Sequence, residues 1–300
     1  VIDDDDDDEN EARDHPVAGD RIIDPRDVPV RFHHLRAMGQ SPQHAYHAFQ
    51  AEAGDTLSKL LGSGTHAVLF DRPFAVWSEP ATYKAGPRKG EPTGKLSPRA
   101  ATNGKWVEFQ ARYRDAVIMT PSEMAIARGM VTAIRSNRDA AALLDADGLH
   151  VEETIYFDQL GRKRRSTPDI WTVDGLDLEE KRGGFVAELK TTRCANPFVF
   201  WRDVKRYSYH AQIADQGRAI AARTGKVPSS SYIIAVESSP PHVVQVYRLP
   251  WPMIEDGEQL CSIWLDRLMV VEAAGQWSTG YASGVIDLEF PDFGAPRAAE

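Results

Sequence analysis

Cysteine is scarce: Cys194 and Cys261 are the only two in 300 residues, too few for a disulfide framework or a four-cysteine zinc or iron–sulfur site. Free thiols of this kind usually behave as small buried hydrophobes. Long apolar runs are lacking as well. No segment approaches about eighteen consecutive apolar residues, so no membrane-spanning helix is expected. The start of the chain has neither the basic stretch nor the following apolar stretch of a signal peptide, and the expected location is cytoplasmic. There is no internal repeat. Nor is there an excess of positive charge, since the formal net charge is -9. That sum misleads, because residues 1–24 hold eleven acids and two bases while the rest of the chain holds 33 of each. A block of like charge with almost no aromatics repels itself, so residues 1–25 are expected to form a disordered acidic tail.

What remains can bury a sizeable core, with 42% hydrophobic and 9% aromatic content. The expectation is one α/β domain over residues 26–293, followed by a flexible end at 294–300. "RFHHLRAMGQSPQHAYHAFQAE" has helical apolar spacing broken at Ser41 and Pro42, which predicts one short helix ending and another starting. "DTLSKLLGSGTHAVLFD" reads as a helix around His66. Between Trp77 and Trp106 glycine and proline recur with little apolar sequence, which predicts a long loop carrying Lys84, Arg88, Lys89, Lys95 and Arg99. "TPSE" supplies Thr120 as N-cap, Pro121 at the first helical position and Glu123 to close a capping box. "VEETIYFD" alternates as a strand, "QLGRKRR" reads as a turn, and "STPDIWTVDGL" as a second strand. "GGFVAELKTT" is a third strand. "VFWRDVKRYSYHAQIADQGRAIAART" reads as one long helix, "SYIIAVES" and "HVVQVYRL" as a strand pair around Pro240 and Pro241, and "MIEDGEQLCSIWLDRLMVVEAAG" as a closing helix. This order implies a mixed sheet covered by helices.

One strand carries chemistry. Side chains alternate across a strand, so Phe185, Ala187 and Leu189 share one face while Val186, Glu188 and Lys190 share the other. An acid and a base thus stand together inside an apolar run. The neighbouring strand places Asp169 just after Pro168. A hard divalent cation such as Mg²⁺ takes one or two carboxylates together with water and phosphate oxygens. Asp169 and Glu188 on adjacent strands can supply them, and Lys190 can hold a water or offset charge on a phosphate. The alternative for so short a pattern is a surface ion pair at a strand edge. Downstream, Tyr209, Gln212 and Gln216 fall on one helical face. They either touch phosphate beside such a site or form a solvated face.

P-D followed by E-x-K on a strand is the PD-(D/E)XK nuclease pattern. In order along the chain, "HLRAMGQSPQHAY", "GSGTHAVLFD", "KWVEFQARYRDAVIMTPSEM", "VEETIYFD", "TPDIW", "FVAELKTT", "YSYHAQ", "GQWSTGY" and "LEFP" resemble the RecE-type exonucleases of phages and prophages, the exodeoxyribonuclease VIII group. The similarity to lambda exonuclease is more distant. The resemblance covers nearly the whole folded chain and implies a PD-(D/E)XK, restriction-endonuclease-like core with a mixed central sheet flanked by helices. It also implies a bacterial or phage-encoded enzyme that degrades linear duplex DNA from its ends, 5′ to 3′, with Mg²⁺ as cofactor and Mn²⁺ as its substitute. A homo-oligomeric ring, and a single-strand annealing recombinase as partner, are further implications.

Residue by residue, the resemblance makes His66, Asp169, Glu188 and the backbone carbonyl of Leu189 metal ligands. Asp169, Glu188 and Lys190 become the catalytic set, with Tyr209 and Gln212 as the polar helix beside them. Two places depart from the family pattern: Gln216 stands where an aromatic is common, and Thr167 stands where an arginine often precedes P-D. The basic cluster Arg162, Lys163, Arg164 and Arg165 is expected at a turn, either gripping the DNA backbone or solvated. Two other functions share these residues: a single-strand or structure-specific nuclease with the same centre, and an idle DNA-binding or assembly protein that keeps the fold.

Overall fold

The computed structural model describes residues 23–50, 56–175, 178, 183–281 and 285. The expected acidic tail (apart from its last three residues), the "LEFP" segment and the expected flexible end at 294–300 lie outside the described residues.

Five strands form the central sheet. They are β5 (His150–Val151), β8 (Ile170–Thr172), β9 (Phe185–Thr192), β10 (Ser230–Glu237) and β11 (Val244–Arg248), in the order β11-β10-β9-β8-β5. Only β9 and β10 run parallel, while the other three pairings are antiparallel. A parallel pair needs a crossover, which α7 (Pro197–Tyr207) and α8 (Tyr209–Thr224) provide. The other helices are α1 (Phe32–Gln40), α2 (Pro42–Gln50), α3 (Leu57–Leu69), α4 (Gly104–Arg112), α5 (Pro121–Ser136), α6 (Arg138–Leu144) and α9 (Trp251–Ala274). Among the described residues there are also three two-stranded pieces: β1 (Phe74–Val76) with β4 (Val117–Met119), β2 (Pro80–Thr82) with β3 (Pro92–Leu96), and β6 (Ile155–Gln159) with β7 (Arg162–Ser166).

The alternation in β9 builds the layers. Phe185, Ala187 and Leu189 join Tyr232, Ile234 and Val236 of β10 in a core shared with Met130 and Ile134 of α5 and Leu143 of α6. On the other face, Val186 joins Ile233 and Ala235 in a core with Ile213, Ala214 and Ile220 of α8. Each such large side chain contributes about 1.5–3 kcal/mol by leaving water. The sheet is therefore covered on both faces, and Glu188 lies under α8 rather than in solvent. A third core packs α9 on α1 and α2 through Leu35, Met38, Leu265 and Leu268.

Entry into β9 depends on Gly184. Its φ is +68°, and an added Cβ would lie 2.0 Å from the carbonyl oxygen of Thr172. Only glycine meets both conditions, the left-handed backbone and the close approach of β8.

Three expectations are corrected by these elements. The predicted turn over 159–165 is confined to Leu160 and Gly161, because residues 162–166 form β7 and pair with β6. The predicted long helix is two helices, broken where Ser208 adopts the left-handed conformation at φ 56°. The stretch from Trp77 to Trp106 is not a bare loop. It holds the β2–β3 hairpin and the start of α4, with Trp77, Trp106 and Phe109 packed edge to face or stacked.

Candidate active site

Asp169 sits one residue ahead of β8, fixed by Pro168 before it and by the register that sets Ile170 opposite Ala187 of β9. Its carboxylate crosses to the next strand, where the Leu189 N–H donates to Asp169 Oδ2 at 2.7 Å. Leu189 thus meets Asp169 through its amide. On the other side Asp169 Oδ2 lies 3.7 Å from Nε2 of His66, which α3 delivers to the sheet. Asp169 and Glu188 stand on neighbouring strands, as the spacing predicts, and both are buried.

Glu188 is held tightly. Lys190 Nζ donates to its Oε1 at 2.8 Å, Gln212 Nε2 to the same oxygen at 2.6 Å, and Gln216 Nε2 to Oε2 at 2.6 Å. Gln212 also accepts from Lys190 at 3.0 Å. The ring of Tyr209 lies 4.7 Å from the same ammonium, a cation–π contact. One face of α8 is therefore folded down onto β9. Gln216, where the resemblance leads one to expect an aromatic, holds an oxygen of the strand's acid.

Glu152 was not foreseen. It precedes β6, in the left-handed region at φ 44°, and its N–H donates to the backbone oxygen of Asp169 at 2.8 Å. Its side chain binds Nδ1 of His66 at 2.9 Å and Nε of Arg72 at 2.7 Å. Donor atoms of His66, Glu152 and Asp169 all lie within 4.8 Å of one another. The sequence signal for Glu152 was faint, an acid in a "VEE" run beside a strand. Nothing in local periodicity ties residue 152 to residue 66.

Crowded carboxylates and cations distort one another. Burial, and then the charge of Glu188, push Asp169 up to about 7, against the pull of His66 and Lys190. Burial disfavours charge on His66, yet Asp169 and the Glu152 hydrogen bond outweigh it and raise the imidazole to about 9. The same contest holds Lys190 above the ordinary lysine value: burial opposes its charge, but Glu188 and Asp169 prevail. The hydrogen bond from His66 holds Glu152 low despite its burial. The geometry of His66, Glu152 and Asp169 could hold a divalent cation, which would have to displace the imidazole proton.

The basic cluster is divided by the strand it occupies. Arg164 is fully buried, bound to Asp215 at 2.5 Å and to Gln159. Arg162 is buried too, reaching Glu272 at 3.1 Å and the carbonyl of Pro25 at 2.6 Å. Alternation explains this, since residues two apart share a face. Arg162 and Arg164 thus serve the interior, which corrects the expectation that all four cations stand at a turn, either on DNA or solvated; Lys163 is exposed and Arg165 half-buried on the other face. A separate cavity of about 500 Å³, lined by Arg218, Ser229, Ser231, Arg248 and Trp251 among others, contains none of the site residues.

No family model and no curated protein matches the chain. Solved structures do. A crystal structure named "Putative exonuclease" from Eubacterium rectale is similar to this chain with a TM-score of 0.52 at 8% identity, over 82% of each chain. A second solved structure matches with a TM-score of 0.27 at 12% identity, over 55% of this chain and 69% of its own, too low to bear on the fold. The first likeness, at so low an identity, speaks for the fold alone, a mixed α/β sheet flanked by helices.

Proposed function

We propose that the chain is a metal-dependent DNA nuclease of the PD-(D/E)XK type, acting as an exonuclease on linear duplex DNA. The observation that carries this reading is the convergence of Asp169, Glu188, Lys190 and His66 from two strands and a helix. Ionisable groups gathered in a partly buried cluster cost desolvation that their mutual pairing offsets in part, and such clusters concentrate at functional sites. Exonuclease polarity, a ring-shaped oligomer and a recombinase partner follow only from the RecE-type resemblance.

The donor set fits Mg²⁺ or Mn²⁺. Asp169 and His66 would hold the ion together with Glu152, which the geometry groups with them, or with Glu188 and the carbonyl of Leu189, which the RecE-type resemblance implies. When bound, a divalent cation supplies a Lewis acid that offsets charge on a scissile phosphate and makes water more acidic. Lys190 would orient the attacking water by a hydrogen bond from its Nζ and offset negative charge developing on the phosphate. Gln212 and Tyr209 fix that ammonium, and Gln216 keeps Glu188 from rotating away. Lys163 and Arg165 remain to meet the DNA backbone.

The test is to incubate end-labelled linear duplex, nicked circular and single-stranded DNA with and without Mg²⁺. Linear duplex should be degraded only with metal, and Glu188→Gln or Lys190→Ala should slow it by about 100-fold or more. Inactivity on every substrate, or a Glu188→Gln variant as fast as wild type, would overturn the reading. Degradation of single strands alone would replace the exonuclease reading with the single-strand one.

A further inference from the structure

Helix α7 follows directly on the catalytic strand and leaves large apolar groups in solvent. Phe198 is 81% exposed and Trp201 52% exposed. Phe198, Trp201, Arg202 and Lys205 recur at helical spacing along one outward stripe, while Phe200 and Val204 anchor the opposite face. Lys205 Nζ lies 5.9 Å from the Trp201 ring, and the Arg206 guanidinium lies 5.6 Å from the Tyr207 ring. The only acid on α7, Asp203, is half-buried on the inward side and reaches Thr192. The exposed face therefore combines flat rings with cations and lacks negative charge.

The C-terminal end of the helix, turned about half way round from that stripe, adjoins the candidate active site. Tyr207 stacks on Tyr209 with ring centroids 5.6 Å apart, and the Tyr209 ring in turn meets Lys190. We infer that α7 is a stacking platform for unpaired nucleotides of single-stranded DNA running to or from the catalytic strand, with Phe198 and Trp201 under the bases and Lys205 and Arg206 on the phosphates. Bases in a duplex hide their faces, so exposed rings of this kind select unpaired ones, and interleaved cations follow the backbone. The inference rests on the nuclease reading for its link to Lys190.

The test separates the two. Binding of a fluorescent oligothymidylate and of a blunt duplex to the full chain is measured by anisotropy in chelator, where no metal-dependent cleavage occurs. Phe198→Ala combined with Trp201→Ala should weaken oligothymidylate binding about tenfold or more and leave duplex binding nearly unchanged. Lys205→Gln with Arg206→Gln should flatten the salt dependence by about 0.7 in log–log slope for each phosphate no longer neutralised. No binding of single strands by wild type, or equal binding by the aromatic variant, overturns the inference whether or not the protein cleaves DNA. So does an aromatic variant that keeps its oligonucleotide affinity but loses self-association by light scattering, or loses affinity for anionic lipid vesicles. Ring-dependent binding of single strands by a protein inactive with Mg²⁺ would sustain the platform and sink the nuclease reading instead.

Discussion

At the scale of single residues, the chemistry divides into what a strand displays and what only a fold can gather. Asp169, Glu188 and Lys190 were visible in the sequence because charged side chains stand out within an apolar strand and because Pro168 marks the first of them. Glu152 was invisible, since its meaning comes from His66, 86 positions away. It orients that imidazole through Nδ1 and stands close enough to share a cation. Glu152→Gln removes the charge behind both roles while keeping size. It should lower Mn²⁺ affinity by about 10-fold or more, measured by calorimetry on the intact chain. Glu188→Gln, titrated in parallel, distinguishes which acid would be the third ligand of the proposed ion: the larger loss identifies it. Gln216 teaches a related lesson. Its departure from the expected aromatic looked like a gap in the sequence, yet its amide supplies a hydrogen bond that an aromatic ring lacks.

At the scale of elements, helix starts, strand alternation and the helix break at Ser41–Pro42 were legible, and the break at Ser208 was not. Thr120, Pro121 and Glu123 form the capping box that the sequence spells out, with the Thr120 hydroxyl accepting from Glu123 N at 3.2 Å. Arg99 closes it with two hydrogen bonds to the Glu123 carboxylate. Burial favours the neutral acid, but Arg99 and the Thr120 N–H outweigh it and hold Glu123 below its ordinary value of 4.5. A carboxylate lowered on folding stabilises the native state above its unfolded value, and that contribution is lost as pH falls through the lower folded value. Glu123→Gln should therefore lower the melting temperature at pH 7, and the gap to wild type should narrow below pH 4.5, as followed by circular dichroism. The break at Ser208 lacks any such spelling, because no glycine or proline announces the left-handed residue. The basic run 162–165 was misplaced for a different reason: four cations in a row suggest solvent, and only the pairing with β6 turns two of them inward. Arg164→Met strands Asp215 in the interior, so it should destabilise by about 3–5 kcal/mol in urea unfolding. Arg165→Gln, on the outer face, should stay within about 0.5 kcal/mol of wild type.

At the scale of the whole molecule, the mixed sheet covered by helices was foreseeable from the order of periodicities, and the strand order was not. Which strand lies beside β9 depends on crossovers and close approaches that no local pattern records. Gly184 is one of them. Gly184→Ala drives a methyl group into the backbone of Thr172 and forces an alanine to positive φ, so β8 and β9 must separate. A loss of about 3 kcal/mol or more is expected by urea unfolding, beyond the usual range for exposed glycine positions. Because Asp169 reaches the Leu189 amide across that same seam, the lost stability should come with lost activity that added Mg²⁺ does not restore.

The close approach at Gly184 also limits portability. Moving "TPDIW" and "FVAELKTT" into another sheet would carry over the acids and the lysine, but not the backbone seam that sets the distance between them. A transplanted centre would have to bring its glycine and the carbonyl of Thr172 with it. The smallest transferable unit is therefore a pair of strands with their seam, and the short motif by which such sites are recognised is only its visible edge.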